Sequence, residues 1–411
     1  MNTITKYHKV SSYEANIGEF DKVLLLYSGG LDTSIMIKWL RDNYKIDVYT
    51  LTMDIGQQKD DLESIKQKAL KLGAKEAIII DAKDDFAELV ISKGIKANAS
   101  YQGDYHLSTP MGRVIISMKV VEVCKKKNIF CVAHGSTGKG NDQVRFESYI
   151  TTLNPKIKII APVREWMMDR NEEIKYALKN KIPTPANFDF PYSVDDNMWG
   201  MTWEGGEIET PEEIARIEEF LTTYTLAEKS PEKPEIIKIE FKNGLPVRLN
   251  GEELKLSDLI IKLNGIAGKH GVGVVHMLED RLIGVKNRGV YELPAAHVII
   301  KAHKFLEQYV STRNLNEYKS MLDIKWGYMC YGALWFDPLM DAINAFNDKV
   351  NEIVEGTVTI KLHKGKAETI AIKSPYGLIN TSFNNDEGHN FNVNASAGFI
   401  EIYSLQMNKA Y

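Results

Sequence analysis

The sequence predicts an α/β fold: a parallel sheet with helices on both faces, followed by a second, α+β half. Three observations carry this. Apolar runs alternate with helical patterns from Val23 to Lys181. A glycine turn joins the first apolar run directly to the first helix. Prolines then interrupt the chain at Pro183–Pro191, and hairpin signals take over.

The first strand is Val23–Leu26, and an amphipathic run, Ile35–Leu40, follows its turn. Asp32 or Thr33 is the expected N-cap. Ile46–Leu51 is the second strand. Residues 60–72 form a helix closed by Gly73. Ala77–Ile80 is the third strand. Arg113–Lys127 is an amphipathic helix with Val114, Ile115, Met118, Val121 and Val123 on its apolar side. Phe130–Ala133 and Lys156–Ile160 are further strands, and Asn171–Lys181 another helix. Beyond the prolines, Tyr192–Glu207 reads as a polar, aromatic loop. Ile236–Phe241 and Pro246–Leu249 flank a Lys-Asn-Gly turn as a hairpin. Leu256–Ala267 is helical and runs into a glycine-rich segment, Gly268–Gly273. A helix follows Pro294, and Gly356–Ile372 is a second hairpin. The expected domains are an extension over 1–20, a nucleotide-binding domain over 21–185, a substrate domain over 186–373 and a C-terminal segment over 374–411.

Composition narrows the functional classes. Apolar residues make up 44% and charged residues 26%, as in an ordinary globular protein. The net charge of −4 gives no global attraction for nucleic acid or an anionic membrane. Cys124, Cys131 and Cys330 form no CxxC pair, which argues against a zinc ribbon, a disulfide scaffold or a redox centre. Met1–Phe20 lacks the apolar core of a signal peptide. No run reaches the roughly 18 apolar residues that span a bilayer. A reducing cytoplasm fits these features.

Two stretches carry chemistry. Tyr27-Ser28-Gly29-Gly30-Leu31-Asp32-Thr33-Ser34 lies between strand and helix. Its glycines let backbone amides approach a ligand, and the helix start adds unpaired N–H groups and partial positive charge. Such a turn suits pyrophosphate. It is no Walker A loop, which needs Lys before Ser or Thr. The ordinary alternative is a tight βα turn. The second stretch, His134–Arg145, follows strand four. Gly135, Gly138 and Gly140 expose amides, Thr137 offers a hydroxyl and Lys139 a charge. With a helix starting near 141, Asn141, Asp142 and Arg145 share one face. Asp142 suits an α-ammonium and Arg145 a carboxylate, the two ends of an amino acid. The alternative is a solvated glycine loop with a capped helix.

The first stretch is similar to the pyrophosphate loop of the N-type ATP pyrophosphatases. Together with Asp54–Gln57, His134–Glu147, Tyr192–Asn197, Gly268–Gly273 and Glu279–Glu292, it resembles the argininosuccinate synthase family almost from end to end. The resemblance implies a cytoplasmic ligase of arginine biosynthesis and the urea cycle, EC 6.3.4.5. Citrulline would be adenylated by MgATP with release of pyrophosphate, and aspartate would then displace AMP. It implies ATP as substrate with Mg2+ on the nucleotide, no protein-held metal, no nucleic-acid or membrane partner, and a homotetramer.

The roles it implies fall on particular residues. Leu26, Tyr27, Ser28, Gly29, Gly30, Leu31, Asp32, Thr33 and Ser34 hold ATP phosphates. Met53, Gly135, Thr137 and Asp195 complete the nucleotide site. Tyr105, Asn141, Arg145, Ser193, Thr202, Glu204, Glu279 and Tyr291 bind citrulline. Thr137, Asn141 and Asp142 bind aspartate, so Thr137, Asn141, Asp142 and Arg145 form the catalytic set. Asp142, Asp195 and Asp32 all remain candidate bases for the aspartate amine. Read without the resemblance, Met53 is a strand-end apolar residue, Glu279 a solvated charge and Tyr291 a core aromatic. Pro110 stands where one branch of the family has a hydroxyl, which puts that substrate contact in question. The C-terminus is expected to stop short of the family's tetramer-holding tail helix. The rival readings are another adenylating pyrophosphatase, such as an NAD, GMP or asparagine synthetase or a tRNA-thiolating enzyme, and a non-catalytic nucleotide-binding module.

Overall fold

The computed structural model describes residues 7–57, 61–138, 140–184, 191–379 and 394–411. The first half is a five-stranded parallel sheet in the order β3-β2-β1-β4-β5. Its strands are β1 (Lys22–Leu26), β2 (Asp47–Asp54), β3 (Glu76–Asp81), β4 (Cys131–Ala133) and β5 (Lys158–Ile160). The helices are α1 (Leu31–Tyr44), α2 (Leu62–Lys71), α3 (Lys83–Phe86), α4 (Ser92–Lys96), α5 (Ser108–Lys127), α6 (Asp142–Leu153), α7 (Pro162–Trp166) and α8 (Arg170–Lys179). A π turn at Ala87–Ile91 joins α3 to α4.

Strand β1 is central and buried on both faces, as its unbroken apolar run requires. Val23, Leu25 and Tyr27 pack with Met36, Ile37 and Leu40 of α1. Leu24 belongs to the opposite layer with Met111 and Val114 of α5. The strand order reverses between β1 and β4. The turns after these two strands therefore face one crevice, where ligands of open parallel sheets bind.

The second half holds two antiparallel sheets. One, in the order β10-β9-β8-β13-β14, contains β8 (Glu235–Lys242), β9 (Leu245–Leu249), β10 (Glu252–Glu253), β13 (Gly356–His363) and β14 (Lys366–Lys373). The other, in the order β11-β12-β7-β6, contains β6 (Tyr192–Asn197), β7 (Gly200–Gly205), β11 (Val274–Asp280) and β12 (Lys286–Glu292). Helices α9 (Leu256–Lys269), α10 (Pro294–Val310), α11 (Arg313–Tyr331) and α12 (Pro338–Asn351) pack between them and the first half. One apolar cluster runs from Leu24 through Met111 and Trp199 to Ile299 and Trp326, so the two halves share a core.

The structure corrects several expectations. Tyr192–Glu207 is largely the β6–β7 hairpin, not a loop. Its apolar positions, Tyr192, Val194, Met201 and Trp203, fall on one face and alternate with polar ones, but the alternation is only four residues long in each strand and Val194 is half exposed. Helix α5 begins at Ser108, a turn before Arg113, with Pro110 in its first turn where no helical N–H bond is needed. Helix α1 is capped by Gly30, without a side-chain bond, rather than by Asp32 or Thr33. The tail is not short of a helix: α13 (Asn394–Ala410) exposes Phe399, Ile400, Ile402, Tyr403, Leu405 and Met407. The proline-marked boundary and Lys139 lie wholly or partly outside the described residues.

Helix α11 approaches the first half closely at Gly327. A Cβ there would lie 2.0 Å from the Ser100 carbonyl oxygen. One turn on, Tyr331 stacks on Tyr101 with ring centroids 3.6 Å apart. Gly327→Ala is expected to push the helix off, destabilising the protein by about 2 kcal/mol and lowering its urea midpoint.

Candidate active site

The crevice between the turns after β1 and β4 holds two adjoining cavities. The larger, about 830 Å3, lies over the first glycine turn. The smaller, about 250 Å3, lies between α6 and the β6–β7 hairpin. Ser136, Asp142, Ser193, Val194 and Asp195 line both and form their common wall.

Leu26, Tyr27, Ser28, Gly30, Leu31, Asp32 and Thr33 line the large chamber. Gly29 adopts φ +79°, where glycine is favoured, and packs on Ile65 of α2. Lys68 of the same helix donates to the Gly29 carbonyl at 2.6 Å, pinning the turn from behind. Ser34 does not reach the chamber. It is buried, and its hydroxyl donates to the Gly30 carbonyl at 2.6 Å. Met53 and Gly135 also line it, as does Arg170, whose guanidinium lies 2.8 Å from Asp32. Thr137 lines only the smaller chamber.

The common wall is built on ions. Arg113 of α5 reaches Asp142 at 2.8 Å and Asp195 at 2.9 Å. Arg145 reaches the other Asp142 oxygen at 3.0 Å. Burial alone would raise the Asp142 carboxyl, but Arg113 and Arg145 overrule it and hold it at about 2. Arg145 also donates twice to the Tyr331 carbonyl at 3.2 Å, and its guanidinium carbon lies 4.9 Å from the Tyr331 ring centroid.

The hairpin register supplies the facing side chains. Ser193 pairs with Glu204 and Asp195 with Thr202, so these four share one face. Thr202 and Thr109 hydroxyls lie 3.1 Å apart inside the small chamber. Thr109, rather than the buried Pro110, brings the α5 hydroxyl to this cavity. Glu204 forms an ion pair with Arg281 at 2.8 Å, and burial still raises its carboxyl. Glu279 is buried rather than solvated; burial raises it too, and it accepts from the Tyr331 hydroxyl at 2.7 Å. That hydroxyl in turn accepts from Asn141 at 2.8 Å, while the Asn141 carbonyl oxygen accepts from Leu282 N at 2.9 Å. Tyr105 lines the cavity; Tyr291 does not. Tyr291 is fully buried behind Tyr105, with ring centroids 4.3 Å apart.

Sequence reasoning did not assign Arg113, Thr109, Tyr331 or Arg281. Arg281 sits within a recognised motif, beside Glu279, and a polar residue flanking a buried acid was the available signal. Tyr331 left none, because its helix was not predicted. All three thiols are buried, and burial raises them, Cys124 and Cys330 to about 12, which disfavours the reactive thiolate.

A parallel sheet with an anion-suited glycine turn at its crevice, closed by an antiparallel second half, defines a HUP-domain protein with an appended C-terminal domain. The N-terminal model described as "Arginosuccinate synthase N-terminal HUP domain" matches residues 22–183, and that described as "Arginosuccinate synthase C-terminal domain" matches 192–410. The argininosuccinate synthase of Oenococcus oeni is 44% identical over 94% of this chain and 95% of its own length. That of Pyrococcus furiosus is 46% identical, covering 95% and 94%, and that of Streptococcus mutans 45%, covering 94% and 96%. The chain belongs to the argininosuccinate synthase family, ligases of arginine biosynthesis. A solved U34-tRNA thiolase from Methanococcus maripaludis overlaps 40% of this chain and 59% of its own at a TM-score of 0.29 and 19% identity.

Tyr331→Phe is expected to lower stability by about 1–2 kcal/mol at neutral pH, because Glu279 and Asn141 both lose their partner. Glu279 is raised above its unfolded value, so its protonated form favours the fold, and that contribution is lost as pH rises. The Tyr331→Phe deficit should therefore shrink in acid, where a protonated Glu279 no longer needs the donor. Urea unfolding across pH checks both.

Proposed function

We propose that the chain joins L-citrulline to L-aspartate at the expense of ATP, through a citrullyl-AMP intermediate. The observation that carries this reading is the common wall. A nucleotide-sized chamber over an oxyanion-binding turn opens directly against a small chamber whose lining suits an amino acid. MgATP enters the large chamber, with its phosphates on the residue 28–34 turn and the metal carried by the nucleotide. Citrulline lies in the small chamber, with its carboxylate toward Arg145 and Ser193 and its ammonium toward Glu279.

The ureido oxygen attacks the α-phosphorus; a P–O bond forms and the bond to pyrophosphate breaks. Arg113, fixed at the wall, and Arg170, at the glycine turn, supply positive charge where negative charge accumulates. The aspartate amine then attacks the ureido carbon, and AMP leaves with the C–O electron pair. Asp142, held ionised by two guanidinium groups, suits an anchor for the aspartate ammonium better than a proton acceptor. Oxygens of the departing phosphate are nearer in basicity to the task. Holding the two substrates in adjoining chambers lets positioning supply much of the rate.

The same reading places the protein in the cytoplasm as a homotetramer. Among the described residues no helix is long and apolar enough to cross a membrane. The apolar residues exposed on α13 favour packing against another subunit. The reading divides the chain into an extension over 1–20, a nucleotide domain over 21–185, a substrate domain over 186–373 and an oligomerisation segment over 374–411.

Pyrophosphate release from MgATP tests the reading. Steady release with AMP formation is expected only when citrulline and aspartate are both present. Release from neither single nor combined addition, with ATP bound, overturns it. Arg145→Ala should abolish citrulline-dependent turnover while largely sparing ATP binding. Asp142→Asn should allow citrullyl-AMP to form in a single turnover yet slow its capture; unchanged aspartate kinetics would remove Asp142 from that role.

A further inference from the structure

Loop 134–137 touches both chambers: the edge of His134 with Gly135 and Ser136 lines the larger, Ser136 and Thr137 the smaller. Its backbone is set by His134, a buried side chain at the end of β4. The Ser136 N–H lies 3.2 Å from His134 Nδ1, and His134 Nε2 lies 3.0 Å from Glu147. An amide N–H only donates, so Nδ1 accepts and Nε2 carries the proton toward Glu147. The tautomer is thus fixed by two neighbours.

Glu147 is fixed in turn. Arg164 grips both its oxygens, at 2.6 and 3.2 Å. Arg164 also reaches Glu14, at 3.9 Å, in the extension that precedes the first strand. Glu14 is buried, and it accepts from the Val10 and Ser11 amides at 2.9 and 3.0 Å. The extension is itself held to the sheet edge: Ala15 N donates to the Ile159 carbonyl at 2.9 Å, and Ile159 N to that of Tyr13 at 2.8 Å. A continuous polar chain runs Glu14–Arg164–Glu147–His134–Ser136 from the outer edge of β5 to the chamber wall.

We propose that His134 is a positioning residue for the nucleotide, aiming the Gly135–Ser136 backbone into the large chamber, and that residues 7–16 tune it through Glu14. The inference rests on the ligase reading above. His134 touches no reacting atom in this scheme; it acts through the Ser136 amide. The His134–Glu147 link is a buried hydrogen bond, where a loss is felt most, and Arg164 joins Glu14 to it as an ion pair at 3.9 Å.

Two substitutions separate the halves of the imidazole. Asparagine can present an oxygen near the place of Nδ1, keeping the Ser136 bond and losing the Glu147 bond. Glutamine can present an N–H near the place of Nε2, doing the reverse. His134→Asn is expected to keep the wild-type KM for ATP within about twofold, while His134→Gln raises it about tenfold, each with kcat little changed. Glu14→Gln should raise the KM for ATP about threefold at an unchanged melting temperature. Equal KM values for the two His134 variants overturn the positioning role. An unchanged KM in Glu14→Gln overturns the extension's part. Should a variant melt below assay temperature, hydrogen exchange of the wild-type Ser136 amide decides: protection is expected without nucleotide, and fast exchange overturns the proposal. Wild-type protein that releases no pyrophosphate with both substrates would instead fail the ligase reading, leaving the Ser136 protection as the separate test.

Discussion

Much of the site depends on Arg113 standing between Asp142 and Asp195. Asp142 begins α6 in the first half; Asp195 lies on β6 in the second. With Arg145, the cluster holds two guanidinium groups and two carboxylates, so its formal charge is zero. Each ion would cost several kcal/mol to bury alone. Together they offset one another, and only when both halves are in place. The cluster therefore fixes the closure of the second half and builds the wall between the chambers in one arrangement. Arg113, Asp142 and Arg145 are paired with one another before any ligand arrives, so a substrate must exchange contacts with them. Asp195 Oδ2, by contrast, is buried without a hydrogen-bond partner among the described residues and is open to a new one.

The carboxylates in this crevice are of two kinds. Asp142 is held down by its guanidinium neighbours, while burial raises Glu204 and Glu279. The difference follows from placement. Asp142 sits at a helix start between two cations. Glu279 faces a hydroxyl, and Glu204 has one exchangeable partner in Arg281. A ligand ammonium is worth most beside the raised carboxyls, because it supplies the charge their burial lacks. This supports the proposed reading, in which a zwitterion enters the small chamber with its cation end toward the second half and its anion end toward Arg145.

Topology explains why so many polar side chains meet here. The sheet order places the β1 and β4 turns on either side of one crevice. The hairpin register then projects alternate residues of β6 and β7 down onto it. Helix α11 closes the floor through Gly327 and Tyr331, which links Asn141 to Glu279 across the two halves. A segment outside the sheet, residues 7–16, is tied into the same framework through Arg164.

The sequence by itself determined the parallel half and its two glycine turns. The cause is local: central strands must be apolar on both faces, and a strand–turn–helix that presents amides needs glycine at the turn. It also determined the helix start that groups Asn141, Asp142 and Arg145, since spacings of three and four meet on one face. Only the tertiary structure decided the rest. The β6–β7 strands do alternate, with Tyr192, Val194, Met201 and Trp203 on one face and Ser193, Asp195, Thr202 and Glu204 on the other. Each run is only four residues long, however, and the polar face takes its meaning from the cavity it lines. Arg113, Tyr331 and Arg281 gain their meaning from partners far along the chain, and no local period encodes such pairs. Ser34 and Tyr291 sit in motifs yet turn away from the cavities, because a motif fixes residue type and backbone while packing fixes where the side chain points.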